Sequence, residues 1–151
     1  MNKEAIIQNL IKSRRLSSND EFDMFEQALL ALQDNLEIED ISEVCRAFFD
    51  DTQDDEVMFG LIHLIERLRG SECLREIAKC TPDMNDAHDW AMTLNKRIIN
   101  SQEYLEMYID VINSLDVNSK RKILGLLEDV KNDNPKRFAE KVDYLNNGVQ
   151  K

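Results

Sequence analysis

The sequence is poor in the residues that build tight turns. Only four glycines and two prolines occur among 151 residues. Tight β-hairpins need residues that tolerate positive φ or supply a fixed φ, so this shortage excludes a β-sandwich or a β-barrel. The sequence therefore predicts an all-α chain, and its length predicts one helical domain over residues 1–151 with a core of its own.

Long apolar runs and paired cysteines are also lacking. The apolar runs are a few residues long, whereas a membrane span needs roughly 20. Cys45, Cys73 and Cys80 are odd in number and irregularly spaced, which fits neither a disulfide framework nor a C-x-x-C metal site. Residues 1–9 carry charges and amides where a secretory signal needs an unbroken apolar stretch. We therefore expect reduced cysteines, no membrane association and a cytoplasmic location.

The motifs of common enzyme and metal sites do not occur. There is no glycine-rich phosphate loop, no nucleophile elbow and no H-E-x-x-H. Of the two histidines, His63 lies in an apolar stretch, and His88 lies beside Asp83, Asp86 and Asp89. Capping of a helix start explains these acids better than a metal, because His88 does not share the face that carries the aspartates. The sequence predicts a protein that is not an enzyme and holds no cofactor.

Basic residues are nearly absent from residues 16–66. That block has fifteen acids against Arg46 alone, a net charge of −14. Residues 1–15 have a net charge of +3, and residues 67–151 contain fourteen charges of each sign. Affinity for phosphates requires a basic surface, so nucleic acid is excluded as a direct partner. Some of the acids should cap helices, and the others predict a positively charged protein partner.

Hydrophobic periodicity predicts eight or nine short helices. The second should end near Asn35 and bury Phe22, Phe25, Leu29 and Leu32, which recur at steps of three and four residues. A third helix is expected over residues 40–50.

The later helices are marked by their end residues. The helix over residues 54–69 has the broadest apolar stripe, so we expect it to be the most buried, with Gly70 ending it in a positive-φ conformation. Asn134 and Pro135 should begin the last helix, and residues 146–151 should fray.

Two segments suggest how the helices are arranged. Residues 48–68 and 112–130 each join an apolar helix end to an apolar helix through a short polar turn. This pattern resembles the repeat unit of HEAT-type solenoids, although an irregular bundle gives a similar periodicity. We expect antiparallel helix pairs in either a HEAT-like α-α superhelix or an irregular bundle.

Residues 89–112 also resemble a known family. The segments Asp89–Leu105 and Tyr108–Ile112 are similar to the central part of the immunity protein 30 family of small bacterial proteins. The similarity extends over roughly residues 85–145, and the first half matches only in helix pattern and acidity. The resemblance implies a non-enzymatic immunity protein. It would bind the toxic C-terminal domain of a contact-dependent-inhibition or polymorphic toxin in the cytoplasm of the cell that makes both.

Charge predicts which residues meet that toxin. A nuclease toxin needs a basic cleft to hold phosphates, and carboxylates can occupy such a cleft or bind beside it. The expected toxin-binding residues are Asp20, Glu21, Asp23, Glu37, Glu39, Asp40, Asp50, Asp51, Asp54, Asp55 and Glu56. The alternatives are a helical-repeat adaptor or regulatory subunit that binds a basic peptide or protein, and a small metal-binding bundle.

Overall fold

A computed structural model describes residues 2–150, and the regular structure in that range is helical. The α-helices are α1 (Lys3–Lys12), α2 (Asn19–Leu32), α3 (Ile41–Val44), α4 (Asp55–Glu66), α5 (Ser71–Cys80), α6 (His88–Ile99), α7 (Gln102–Asn113), α8 (Val117–Asp133) and α9 (Pro135–Gly148). The all-α prediction is confirmed. The helices group into two compact units, Met1–Arg69 and Gly70–Lys151, called unit 1 and unit 2 below.

Polar side chains cap most of the helix starts. Each accepts a hydrogen bond from a backbone N–H in the first turn, which satisfies a donor that has no partner within the helix. The capping residues are Asn2, Ser18, Asp54, Ser101, Asp116 and Asn134. The predicted start of α9 at Asn134 and Pro135 is confirmed.

In unit 1, α1 and α2 form an antiparallel hairpin. The Lys3 ammonium at the start of α1 donates to the carbonyl of Asn35, which follows the end of α2, at 3.3 Å. Leu10, Phe25 and Leu32 are fully buried. Phe22, in contrast, is 39% exposed, so its predicted place in the core is wrong. It lies outside the buried stripe that begins at Phe25.

The predicted third helix over residues 40–50 is also wrong in form. The chain makes a 3₁₀ turn, the four-residue α3 and a second 3₁₀ turn that ends at Ala47. The Arg14 guanidinium donates hydrogen bonds to the carbonyl oxygens of Arg46 and Phe48 at 3.0 and 3.2 Å. Phe48 then enters the core in an extended conformation. With these contacts the helical conformation stops at Ala47, before the predicted end at residue 50.

Helix α4 differs from the prediction in length and in burial. It ends at Glu66, and Gly70 has the expected positive φ of 104° but begins α5. Helix α4 buries five of 12 residues, whereas α6 buries seven of 12. The prediction that α4 is the most buried helix is therefore wrong. One side of α4 lines a groove described below.

A buried polar network joins three segments of unit 2. The Tyr108 hydroxyl of α7 donates to Oδ1 of Asn95 in α6. The Asn95 amide donates to the Thr81 hydroxyl at 3.1 Å and to the carbonyl of Ala91 at 2.9 Å. Thr81 in turn donates to the carbonyl of Ile77 at 2.7 Å. All buried side-chain polar atoms within residues 2–150 have a hydrogen-bond partner.

The network predicts the effect of removing one hydroxyl. Tyr108→Phe should lower the free energy of unfolding by about 1–3 kcal/mol, because Asn95 Oδ1 would stay buried without its donor. Burial, followed by the nearby charges of Cys80 and Cys73, raises the pKa of Tyr108 well above its ordinary value of 10.0. In the unfolded chain this tyrosine ionises near its ordinary pKa, while in the folded chain it stays protonated. Wild-type stability should therefore fall as the pH rises above that value.

Urea titration at several pH values checks both expectations. The stability gap between wild type and Tyr108→Phe should narrow at high pH, because only the wild-type unfolded state gains from ionisation at this position. A variant as stable as wild type at neutral pH would contradict the role given to the hydroxyl.

Residues 146–150 are held by helix and hydrogen-bond contacts, contrary to the fraying predicted for residues 146–151. Helix α9 continues to Gly148, and Val149 is buried. The backbone N–H of Gln150 donates to Oδ1 of Asn113 at 2.7 Å, and Lys120 donates to the carbonyl of Gln150 at 2.9 Å. These hydrogen bonds hold the segment against α7 and α8. Lys151 lies outside the described residues.

Candidate functional site

Residues 2–150 include no group of three or more His, Cys, Asp or Glu side chains placed to hold a metal ion. Asp83 pairs with Lys122 at 3.3 Å, and Nε2 of His88 lies 3.4 Å from a carboxylate oxygen of Asp129. The three cysteines are free thiols, two of them buried. None of the helices between residues 2 and 150 is long and apolar enough to cross a membrane.

The predicted toxin-binding carboxylates of unit 1 fall into two groups. The backbone N–H of Gln53, just before α4, donates to the carbonyl of Arg15, just before α2, at 2.8 Å. This contact places the starts of α2 and α4 side by side. The carboxylates at these starts, called the acidic end, are Asp20, Glu21, Asp23, Asp50, Asp51, Asp54, Asp55 and Glu56.

The other three carboxylates lie at the opposite end of the α1–α2 hairpin. Glu37 and Asp40 each have an oxygen 2.8 Å from Nζ of Lys3. Asp40, followed by Glu37, raises the pKa of Lys3 through these hydrogen bonds. Asp40 also accepts the backbone N–H of Glu37 at 2.9 Å. Glu37 and Asp40 therefore anchor the start of α1, and Glu39 beside them is exposed.

Two carboxylates of the acidic end have a clear role in folding. Glu21 accepts hydrogen bonds from the hydroxyl and the backbone N–H of Ser17 at 2.7 and 2.9 Å. These bonds lower the pKa of Glu21. Asp54 accepts the backbone N–H of Val57 at 3.1 Å and caps α4. Helix capping thus accounts for part of the acidic end, as the sequence predicts.

Most of the remaining carboxylates at the acidic end are exposed and unpaired. The side chains that have no ion-pair partner within residues 2–150 are Asp20, Asp23, Asp51, Asp55 and Glu56. Two basic residues, Arg14 and Arg15, also lie here. Arg14 donates to backbone carbonyls, and its guanidinium carbon lies 4.4 Å from the centroid of the Phe49 ring. Arg15 is exposed. The carboxylates outnumber these two cations, so the acidic end carries a negative field.

A groove of about 490 Å³ lies between α2 and α4. Gly60 faces Leu29, since a Cβ on Gly60 would be 2.9 Å from Leu29 Cδ1. Arg67, after the end of α4, lies 3.5 Å from Asp34, after the end of α2. The two helices therefore run in the same direction, and the groove begins at the acidic end. We call it the α2–α4 groove.

The walls of the α2–α4 groove include residues that are not among the predicted toxin-binding carboxylates. The α2 wall contains Glu26, Leu29, Leu30 and Gln33. Leu30 is 65% exposed, and Glu26 is an acid of α2 outside the predicted set. The sequence does contain one signal for this surface, since Leu30 is apolar but lies out of phase with the buried stripe of α2. The α4 wall is the stripe that begins at Glu56 and ends at Arg67.

Comparison with known proteins gives one match. The sequence model of a family described as immunity protein 30 matches residues 12–108. No curated protein and no solved structure matches the chain. The matched range corrects the extent predicted from the sequence, roughly residues 85–145, because it reaches through most of unit 1. It includes the whole acidic end and both walls of the α2–α4 groove.

Proposed function

The chain belongs to the immunity protein 30 family, and from this premise we propose that it binds and neutralises the toxic domain of a cognate bacterial toxin through the acidic end of unit 1. Immunity proteins of this kind are in general not enzymes, and the chain is expected to act by binding alone. The toxin is expected to be the C-terminal domain of a contact-dependent-inhibition or polymorphic toxin, and binding to occur in the cytoplasm.

The observation that carries this proposal is the set of exposed carboxylates without ion-pair partners at the acidic end. Asp20, Asp55 and Glu56 lie in the first turns of α2 and α4, where the helix dipole favours a negative charge. Eight carboxylates at one end of unit 1 still repel one another, and this surplus of negative charge calls for another explanation. A nuclease toxin supplies one, because its cleft must be basic to hold phosphates. Complementary fields also speed association, which suits a protein that must capture a toxin before damage occurs.

Growth of a bacterial host tests the proposal. We expect a large secreted protein to be encoded next to this chain, and the host expresses the C-terminal domain of that protein with or without the chain itself. We expect that domain to stop growth alone, and co-expression of the chain to restore growth and yield a stable complex of the two proteins.

In vitro, the same domain should degrade nucleic acid, and one equivalent of the chain should block the degradation. A host that stays inhibited although both proteins are present and soluble would contradict the neutralising role. A toxic domain without nuclease activity would contradict the nuclease assignment and leave the neutralising role in place.

A further inference from the structure

The α2–α4 groove exposes an apolar surface that the fold of unit 1 leaves without a partner. Leu30 is 65% exposed and Phe22 is 39% exposed. Phe22, Glu26 and Leu30 lie four residues apart along α2 and therefore share one face of the helix. Single exposed apolar residues are ordinary, but here Leu30 lines a concave site, and Phe22 lies on the same face of α2 toward the start of that helix.

The floor of the groove is apolar, and Leu29 packs directly against Gly60, where a Cβ would lie 2.9 Å from Leu29 Cδ1. Leu29 and Leu64 are buried beneath it, and Val57 is half-buried at its side. The volume of about 490 Å³ lies within the range of sites that hold small molecules or inserted side chains. The groove can therefore receive at least one large aliphatic or aromatic side chain.

The charge of the groove indicates the kind of partner that it accepts. Glu26 and Glu56 line the end nearest the starts of the helices, and neither has an ion-pair partner within residues 2–150. Arg67 at the far end is already held by Asp34 at 3.5 Å. A second copy of this chain would bring another acidic end toward the first, which is unfavourable. A positively charged partner is favoured.

We propose that the α2–α4 groove receives an apolar side chain of the toxin domain, flanked by a Lys or Arg that meets Glu26 and Glu56. This inference rests on the proposed function and assigns the association rate and the dissociation rate to different parts of the surface. Long-range attraction by the acidic end sets the association rate, whereas the apolar anchor, once its surroundings are desolvated, sets the dissociation rate. Leu30 is the most exposed of the apolar residues that line the groove.

Dissociation kinetics of the complex with the neighbouring gene's toxin domain test the groove. Leu30→Gln removes the apolar surface, keeps the charge and retains a good helix former. We expect its dissociation rate constant to rise at least about tenfold, with the association rate constant within about twofold of wild type. Leu30→Met should restore slow dissociation. The matched control is Val117→Gln in unit 2, since Val117 is 80% exposed, and it should leave both rate constants unchanged.

The possible failures are distinguishable. A wild-type chain that does not bind the toxin domain contradicts the proposed function itself. A wild-type chain that binds, together with a Leu30→Gln variant that dissociates equally slowly, contradicts only the groove. Light scattering of the chain alone tests whether a second copy of the chain occupies the groove. A wild-type dimer that Leu30→Gln converts to a monomer would assign the groove to self-association and overturn the inference.

Discussion

Reversing the charge of four exposed carboxylates at the acidic end is expected to slow capture of the toxin domain about 10–100-fold at low salt. The variant is Asp20→Lys, Asp23→Lys, Asp55→Lys and Glu56→Lys combined, and none of the four side chains has an ion-pair partner within residues 2–150. Stopped-flow mixing measures the association rate constant. The difference from wild type should shrink at about 0.5 M salt, because screening shortens the reach of the field.

A matched variant in unit 2 separates position from net charge. It combines Glu72→Lys, Asp110→Lys, Glu128→Lys and Glu140→Lys, all at exposed positions, and it changes the net charge by the same amount. We expect a much smaller effect on association. Equal slowing by the two variants would show that total charge governs capture, and the acidic end would lose its assigned role.

Truncation of Phe25 is expected to cause the largest loss of stability. Phe25 is fully buried on the inner face of α2, so Phe25→Ala should lower the free energy of unfolding by about 3–5 kcal/mol. Phe22 is the same residue type, three positions earlier and 39% exposed. Phe22→Ala should therefore cost less than about 1 kcal/mol. Urea unfolding followed by circular dichroism compares the two variants directly.

The same pair of variants tests the orientation of α2. Equal destabilisation by Phe25→Ala and Phe22→Ala would contradict the inward face described here. In cells, the Phe25 variant should protect poorly even though its acidic end is intact, because a loss of this size reduces the amount of folded protein.

Local features of the fold were predictable from the sequence. Asn134 and Pro135 begin α9 as expected because a cap and an N1 proline act within one helical turn. The short α3 could not be predicted in this way, because Arg14, more than thirty residues earlier, binds the carbonyls of Arg46 and Phe48, which follow α3. The position of Gln150 likewise depends on Asn113, a distant residue in α7. The HEAT-like arrangement stays a prediction.

The candidate site was predictable only in part for the same reason. Composition identifies residues 16–66 as acidic, but the division into the acidic end and the group around Lys3 depends on contacts between distant segments. The α2–α4 groove is even harder to predict from the sequence. It requires α2 and α4, which are not consecutive, to run in the same direction with Gly60 against Leu29.

Amide hydrogen exchange of the chain, free and bound to the toxin domain, tests the central claim most directly. The acidic end and the α2–α4 groove predict that the toxin protects α2, the loop over residues 48–54 and α4. Protection confined to α5–α9, with unit 1 exchanging as in the free chain, would contradict the account.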